Sequence, residues 1–119
     1  MHLKIVYIDD EAGLCQSFED NFAGPSINIR TFTDPVAGVA AIKLDPPDLV
    51  LLDYRLPKQT GLEVAKEIPE RIPVALITGD LHLDVGKRFL KVFGKPFDFR
   101  EMEEFLLRLP QLTAHTREG

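Results

Sequence analysis

Five polar side chains in this chain follow directly on apolar runs, and their types could handle a phosphoryl group. Asp9 and Asp10 follow Ile5-Val6-Tyr7-Ile8, Asp53 follows Leu49-Val50-Leu51-Leu52, Thr78 follows Val74-Ala75-Leu76-Ile77, and Lys95 follows Val92-Phe93-Gly94. If the runs are neighbouring strands, three carboxylates gather at one rim. Two like charges about 4 Å apart repel by ~4 kcal/mol at an effective dielectric near 20. Such a group must take up a proton or hold a cation. A hard, oxygen-seeking ion fits, and Mg²⁺ needs only one or two protein carboxylates, which leaves coordination positions for phosphoryl oxygens. Lys95 supplies a point charge for those oxygens and Thr78 a hydroxyl. A carboxylate in that setting can itself be the nucleophile, forming an aspartyl-phosphate. Each residue also has a plain structural use. Asp9 and Asp10 can cap a helix, Asp53 can close a turn, Thr78 can end a strand, and a Lys before Pro is commonly a solvated surface residue. What favours chemistry is their coincidence at the ends of four strands.

The elements that would position them can be read in order. Leu3 to Ile8 is a strand, followed by a helix with Leu14, Cys15, Phe18 and Phe22 on one face, capped by Asp10 or a neighbour. Ile27 to Phe32 alternates apolar and polar residues, the pattern of an edge strand. Thr33-Asp34-Pro35 opens a second helix, with Pro35 in its first turn and an apolar stripe of Ala37, Ala40, Ala41 and Leu44. The strand ending at Asp53 has four consecutive apolar residues, as expected when both faces are buried. Gly61 precedes a third helix carrying Leu62, Ala65 and Ile68, and Pro69 and Pro73 bracket a tight connection into Val74–Ile77. Leu81 to Leu90 mixes strand and helix spacing and is expected to form a short or irregular helix. Lys91 to Gly94 is a fifth strand. Asp98 with Glu101 has capping-box spacing, and the last helix places Met102, Phe105, Leu106 and Leu109 on one face until Pro110 ends it. Strands alternating with helices imply a parallel, doubly wound α/β sheet covered on both faces, with every strand's C-terminal end on one rim.

The chain has 119 residues, the size of one domain, read here as residues 1–112 with a frayed tail over 113–119. A formal net charge of −5 and the lack of a Lys/Arg cluster argue against electrostatic binding of nucleic acid. No apolar run is long enough to cross a membrane. A lone Cys15 cannot form an internal disulfide and suits a reducing compartment, so a cytoplasmic protein is expected. The chain lacks the GxxxxGK[ST] phosphate loop of nucleotide-binding proteins, and His2, His82 and His115 have neither zinc-ligand nor triad spacing.

Taken together, Ile8-Asp9-Asp10-Glu11, Leu52-Asp53-Tyr54-Arg55-Leu56-Pro57 with Gly61-Leu62, Ile77-Thr78 and Gly94-Lys95-Pro96-Phe97-Asp98 resemble the CheY-like response regulator receiver domain of two-component signalling, from Leu3 to about Leu109. The resemblance implies a flavodoxin-like fold with strand order 2-1-3-4-5. It implies that Asp53 accepts a phosphoryl group from the phosphohistidine of a histidine kinase or phosphotransfer protein. It further implies that Mg²⁺ (or Mn²⁺) is held by Asp10, Asp53 and the backbone carbonyl of Arg55, with Asp9 acting through water. Lys95 would hold the phosphoryl group across a cis Lys95-Pro96 bond, and Thr78 would move to it as the switch step. The output would be a change of affinity for a downstream protein, with room for a weak homodimer.

The chain departs from the family pattern in several places. The switch aromatic usually lies three residues before the lysine, where this chain has Val92; Phe93 is one place off and would face the other side of the strand. The stretch from Thr78 to Lys95 is short, and the third helix looks trimmed. Output through a remodelled face is therefore expected. Arg55 and Asp80, two residues beyond Asp53 and Thr78, either pair with each other or tune the lifetime of the phosphoryl group. Two rivals remain. One is a receiver-like interaction module that works without phosphorylation. The other is a Mg²⁺-dependent phosphatase with an aspartyl nucleophile, which typically wants a second acid where this chain has Arg55.

Overall fold

Apolar runs with β-branched residues pair in this chain as parallel strands, because each is followed by a segment that returns over the sheet. The computed structural model describes the backbone of residues 2–118 and the side chains of residues 2–113. Its strands are β1 (Leu3–Ile8), β2 (Ile27–Phe32), β3 (Leu49–Asp53), β4 (Val74–Thr78) and β5 (Lys91–Gly94), and its helices are α1 (Ala12–Phe22), α2 (Pro35–Leu44), α3 (Gly61–Ala65) and α4 (Phe99–Glu118). The sheet order is β2-β1-β3-β4-β5, all parallel, the expected flavodoxin-like arrangement with β2 at an edge. Register aligns Ile8 with Leu52, Asp53 with Ile77 and Thr78 with Gly94, which brings the strand ends that carry polar residues to one rim.

Side-chain alternation divides the core into two halves. Tyr7, Leu51, Ile77 and Phe93 pack under α1 and α4, against Phe18, Met102, Phe105 and Leu109. Val6, Ile8, Val50 and Leu52 pack under α2 and α3, against Val39, Ile42, Val64 and Ala65. Burial of these apolar surfaces supplies most of the stabilisation.

Five local readings are corrected by the structure. First, α2 buries Pro35, Gly38, Val39 and Ile42, whereas Ala37 and Ala40 are exposed and Leu44 is 88% exposed. The helix is apolar on every side, so periodicity does not choose a face. Gly38 favours one, because a Cβ there would lie 2.7 Å from Ile8 Cδ1 and a larger residue would push that side chain aside.

Second, neither Asp10 nor its neighbour Glu11 caps α1 with its side chain. The N-cap position is held by Glu11, whose side chain makes no capping bond. Third, Leu81 to Leu90 forms turns rather than a short helix. Asp80 and Asp84 accept hydrogen bonds from the backbone N–H groups of His82 and Gly86, local bonds that compete with a helix ladder. Arg88 ties the loop down by donating to the carbonyls of Pro69 and Ile72, and Phe89 packs against the core half under α2 and α3.

Fourth, α4 passes through Pro110 and continues to Glu118. An interior proline costs about 3 kcal/mol, but the buried seam of Leu106 and Leu109 extends to Thr113, which is 3% exposed. Thr113 Oγ1 donates to the Leu109 carbonyl, so the tail expected from Thr113 begins inside the helix. Fifth, only half of the expected capping box forms at Asp98. Its carboxylate accepts the Glu101 N–H, while the Glu101 carboxylate turns to Lys91 at 3.8 Å. The fully reciprocal box lies instead at α3, between Thr60 and Glu63.

Candidate functional site

The rim at the C-terminal ends of β1, β3 and β4 holds buried acids, which a fold tolerates only when they are hydrogen-bonded or paired. Asp9 is fully buried, and Asp53 and Thr78 are 3% and 2% exposed. Asp10, next in the chain, points out into solvent. Carboxylate oxygens of Asp9, Asp10 and Asp53 all lie within 4.8 Å of one another. Lys95, delivered by the β5–α4 loop, donates to Asp53 Oδ1 at 3.2 Å and to Asp9 Oδ2 at 3.4 Å. The Lys95-Pro96 peptide is cis. Asp10, Glu11, Asp53, Tyr54, Arg55, Thr78, Gly79 and Lys95 line one cleft of about 300 Å³. Five of these eight, Asp10, Asp53, Arg55, Thr78 and Lys95, were expected from the sequence as site residues.

The chain end at Asp53 is held by its neighbours. The Tyr54 N–H donates to the Ile77 carbonyl and the Gly61 N–H to the Tyr54 carbonyl, so α3 starts directly against the β3 terminus. The loop between them closes with an isolated bridge from Arg55 to Thr60.

Electrostatics follow from the burial. Removal from water, then the neighbouring Asp9 charge, pushes the Asp53 carboxyl from its ordinary 3.8 up to about 6, with Lys95 pulling the other way. For Lys95, burial alone would lower the pKa, but Asp9 and Asp53 outweigh it and the ammonium is held above its ordinary value. Burial and the Asp9 charge drive the Tyr7 phenol above its ordinary range, and burial raises the Cys15 thiol. Both therefore stay protonated near neutral pH, and both donate to Asp9: Tyr7 through its hydroxyl, at 2.9 Å to Oδ2, and Cys15 through its thiol, at 3.3 Å to the backbone carbonyl. The Glu11 N–H adds a bond to Asp9 Oδ1 at 3.0 Å. Asp9 thus does not cap α1 but is itself surrounded by donors.

A pH dependence follows. With the folded pKa of Asp53 above the unfolded one, the folded protein keeps that proton to higher pH than the unfolded chain does. This contribution to stability is fully present below about 4 and is lost as pH rises through about 6. In metal-free protein, Asp53→Asn should be the more stable form at pH 7.5 by on the order of 1–3 kcal/mol, with the gain gone near pH 4. Urea unfolding of both forms at the two pH values checks this, and a difference independent of pH would refute it.

Tyr7, Glu11 and Cys15 were not expected from the sequence as site residues. For Tyr7 a signal exists: it lies two residues before Asp9 on a strand, so both side chains share a face. Three other sequence candidates do not join the cleft. Asp80 is engaged in its turn, with its N–H on Thr78 Oγ1 at 3.0 Å and its carboxylate on His82, and among the described residues no ion pair joins it to Arg55. Val92 is half-buried beside Leu76 in β4, on the face of β5 opposite Phe93. Phe93 is fully buried beneath α4, edge-on to Phe105 at 5.2 Å.

An oxygen-only donor set of three carboxylates beside a lysine suits a hard divalent cation. The sequence pattern of the response regulator receiver domain matches residues 5–106. The alkaline phosphatase synthesis transcriptional regulatory protein PhoP of Bacillus subtilis (strain 168) is 27% identical over 99% of this chain and 54% of its own length. Among solved structures, NtrX from Brucella abortus superposes with a TM-score of 0.85 at 25% identity, over 99% of this chain and 29% of that one. A CheY-like response regulator receiver domain protein from Methanospirillum hungatei JF-1 matches the fold with a TM-score of 0.83 at 20% identity, over the full length of both. The chain thus spans about half the length of its PhoP relative. With that match over most of its length, and with the acids, threonine and lysine at one rim of a 2-1-3-4-5 sheet, the chain belongs to the response regulator receiver domain family.

Proposed function

We propose that this protein is a phosphorylation-dependent switch in which Asp53 accepts a phosphoryl group from the phosphohistidine of a histidine kinase or phosphotransfer protein. The observation that carries the reading is Lys95 bridging Asp9 and Asp53 beside Asp10 in the rim cleft. An Asp53 carboxylate oxygen attacks phosphorus, the phosphorus–nitrogen bond of phosphohistidine breaks, and its electron pair returns to the imidazole, leaving an acyl phosphate on Asp53. Asp10, Asp53 and the Arg55 backbone carbonyl would hold Mg²⁺ or Mn²⁺, with Asp9 acting through water. When bound, the ion neutralises charge on the transferring phosphoryl oxygens. Lys95 is placed to leave its carboxylate pair and take a phosphoryl oxygen. Thr78, whose hydroxyl now accepts from the Asp80 N–H, would exchange that bond for one to the phosphoryl group. The added ~1.5–2 negative charges are the input, and a changed affinity for a downstream protein is the output.

We further take residues 1–112, extended by the buried Thr113, as the receiver unit, with at most weak homodimerisation; light scattering of the protein in solution tests the second point. The free, buried Cys15 supports a cytoplasmic setting. Among the described residues no helix is long and apolar enough to cross a membrane. The test of the central reading is intact mass after incubation with Mg²⁺ and a small phosphoryl donor, where one Mg²⁺-dependent phosphoryl addition is expected. Arg55 is exposed at the mouth of the cleft, where it can screen the acyl phosphate from water. Arg55→Ala should therefore change phosphoryl lifetime severalfold while stability moves by no more than ~0.5 kcal/mol; equal lifetimes would sink this role.

A second reading rests on Phe93 being locked under α4 and on the helix-free stretch between β4 and β5. In it, the protein binds its partner regardless of phosphorylation. Binding and signalling left intact by Asp53→Asn would favour this alternative.

A further inference from the structure

Asp9 is the most deeply buried acid of the site, and its orientation decides where its free lone pairs point. Glu11 N–H holds one oxygen and Tyr7 hydroxyl the other, at 3.0 and 2.9 Å. Lys95 reaches the same Oδ2 only at 3.4 Å and is shared with Asp53. Lys95 is also the group expected to swing to an incoming phosphoryl oxygen, so it cannot be the lasting restraint on Asp9. Tyr7 can. Its ring is 2% exposed and stacked on Phe18 at 4.6 Å with an interplanar angle of 15°. Its hydroxyl therefore has little freedom to leave, and as a neutral donor it orients Asp9 without cancelling the negative charge a cation would need.

We propose that Tyr7 is a positioning residue for the cation site: its buried hydroxyl fixes the Asp9 carboxylate so that the lone pairs left over face Asp10 and Asp53. The inference rests on the Mg²⁺-dependent reading above. Partners that orient a metal-binding carboxylate from behind are worth 10–100-fold in metal affinity. Because Asp9 would act through water, the lower end of that range is expected.

Tyr7→Phe keeps the ring and its stack on Phe18 and removes only the hydroxyl. Mg²⁺ titration by calorimetry on the full chain should show affinity roughly tenfold weaker than wild type. Phosphoryl incorporation should slow at limiting Mg²⁺ and recover when Mg²⁺ is saturating. Phe18→Leu disturbs the stack and keeps the hydroxyl. It should lower thermal stability and weaken Mg²⁺ binding by less than Tyr7→Phe does, because the hydroxyl that reaches Asp9 is kept even where its ring is held less firmly. A folded Tyr7→Phe that binds Mg²⁺ as tightly as wild type overturns the role of Tyr7 and leaves the switch reading standing. Wild-type protein that takes up no Mg²⁺ overturns the cation reading and this inference together.

Discussion

Asp53→Ala is expected to abolish phosphoryl incorporation from a small donor, whatever the Mg²⁺ concentration. The site holds two other carboxylates, so the specificity of that loss is informative. Asp9 is fully buried and receives donors from Tyr7, Glu11 and Lys95, which lower its nucleophilicity and block its approach. Asp10 is exposed and is accessible to solvent competition. Asp53 alone combines near-complete burial with a place on the cleft wall beside Thr78 and Lys95. Its raised pKa of about 6 leaves it ionised and basic at neutral pH, and a more basic carboxylate is the better nucleophile. Intact mass of wild type and variant, each with and without Mg²⁺, reads the result directly. A residual Mg²⁺-dependent adduct on Asp53→Ala would move the acceptor role to another acid. No adduct on wild type would strengthen the reading as a phosphorylation-independent module.

Gly61→Ala is expected to damage fold and site together, lowering stability by about 2–4 kcal/mol. A Cβ at Gly61 would lie 2.6 Å from the Asp53 carbonyl oxygen, 2.9 Å from Leu76 Cδ1 and 3.1 Å from Tyr54 Cα. Two of these three atoms are backbone, at and just beyond the end of β3, which carries Asp53. Relief therefore has to move the start of α3 or the Asp53 peptide, and either strains the Gly61 N–H bond to the Tyr54 carbonyl. Phosphoryl incorporation should slow as well, even in molecules that remain folded. Gly38→Ala makes a useful comparison. Its nearest atoms belong to the Ile8 and Phe32 side chains, which can shift, so its cost should be smaller and the chemistry untouched. Urea unfolding and the initial rate of phosphoryl incorporation test both. Wild-type stability in Gly61→Ala would show that the helix start has room the structure does not give it.

The exposed edge of the fold bears on output. In place of a helix between β4 and β5, the loop is anchored by Arg88 on the Pro69 and Ile72 carbonyls. Phe93, the aromatic nearest the usual switch position, faces α4, where Phe97 and Phe105 surround it. Thr78 is hydrogen-bonded into the 79–90 loop, accepting from the Asp80 N–H, and the Asp80 carboxylate accepts in turn from the His82 N–H.

Much of this protein is determined by local residue order alone. Short apolar runs rich in Val, Ile and Leu and bounded by turn residues suit buried strands, and alternation at Ile27–Phe32 marks the edge, so the sheet and its polar rim were legible. Asp9, Asp53, Thr78 and Lys95 could be named because each closes or follows such a run. Tertiary structure decided the rest, wherever local chemistry allowed two answers. An α2 that is apolar all round is oriented by the space that Gly38 leaves over Ile8. Pro110 stops a helix in isolation, yet the buried seam through Leu109 to Thr113 carries α4 past it. The 81–90 segment, balanced between periodicities, yields to Asx turns and to Arg88. Tyr7 reads as one more apolar strand residue until the fold buries its ring on Phe18 and turns its hydroxyl onto Asp9. A strand or a cap is set by neighbours in sequence, whereas a burial face and the partner of a buried polar atom depend on what packs against them.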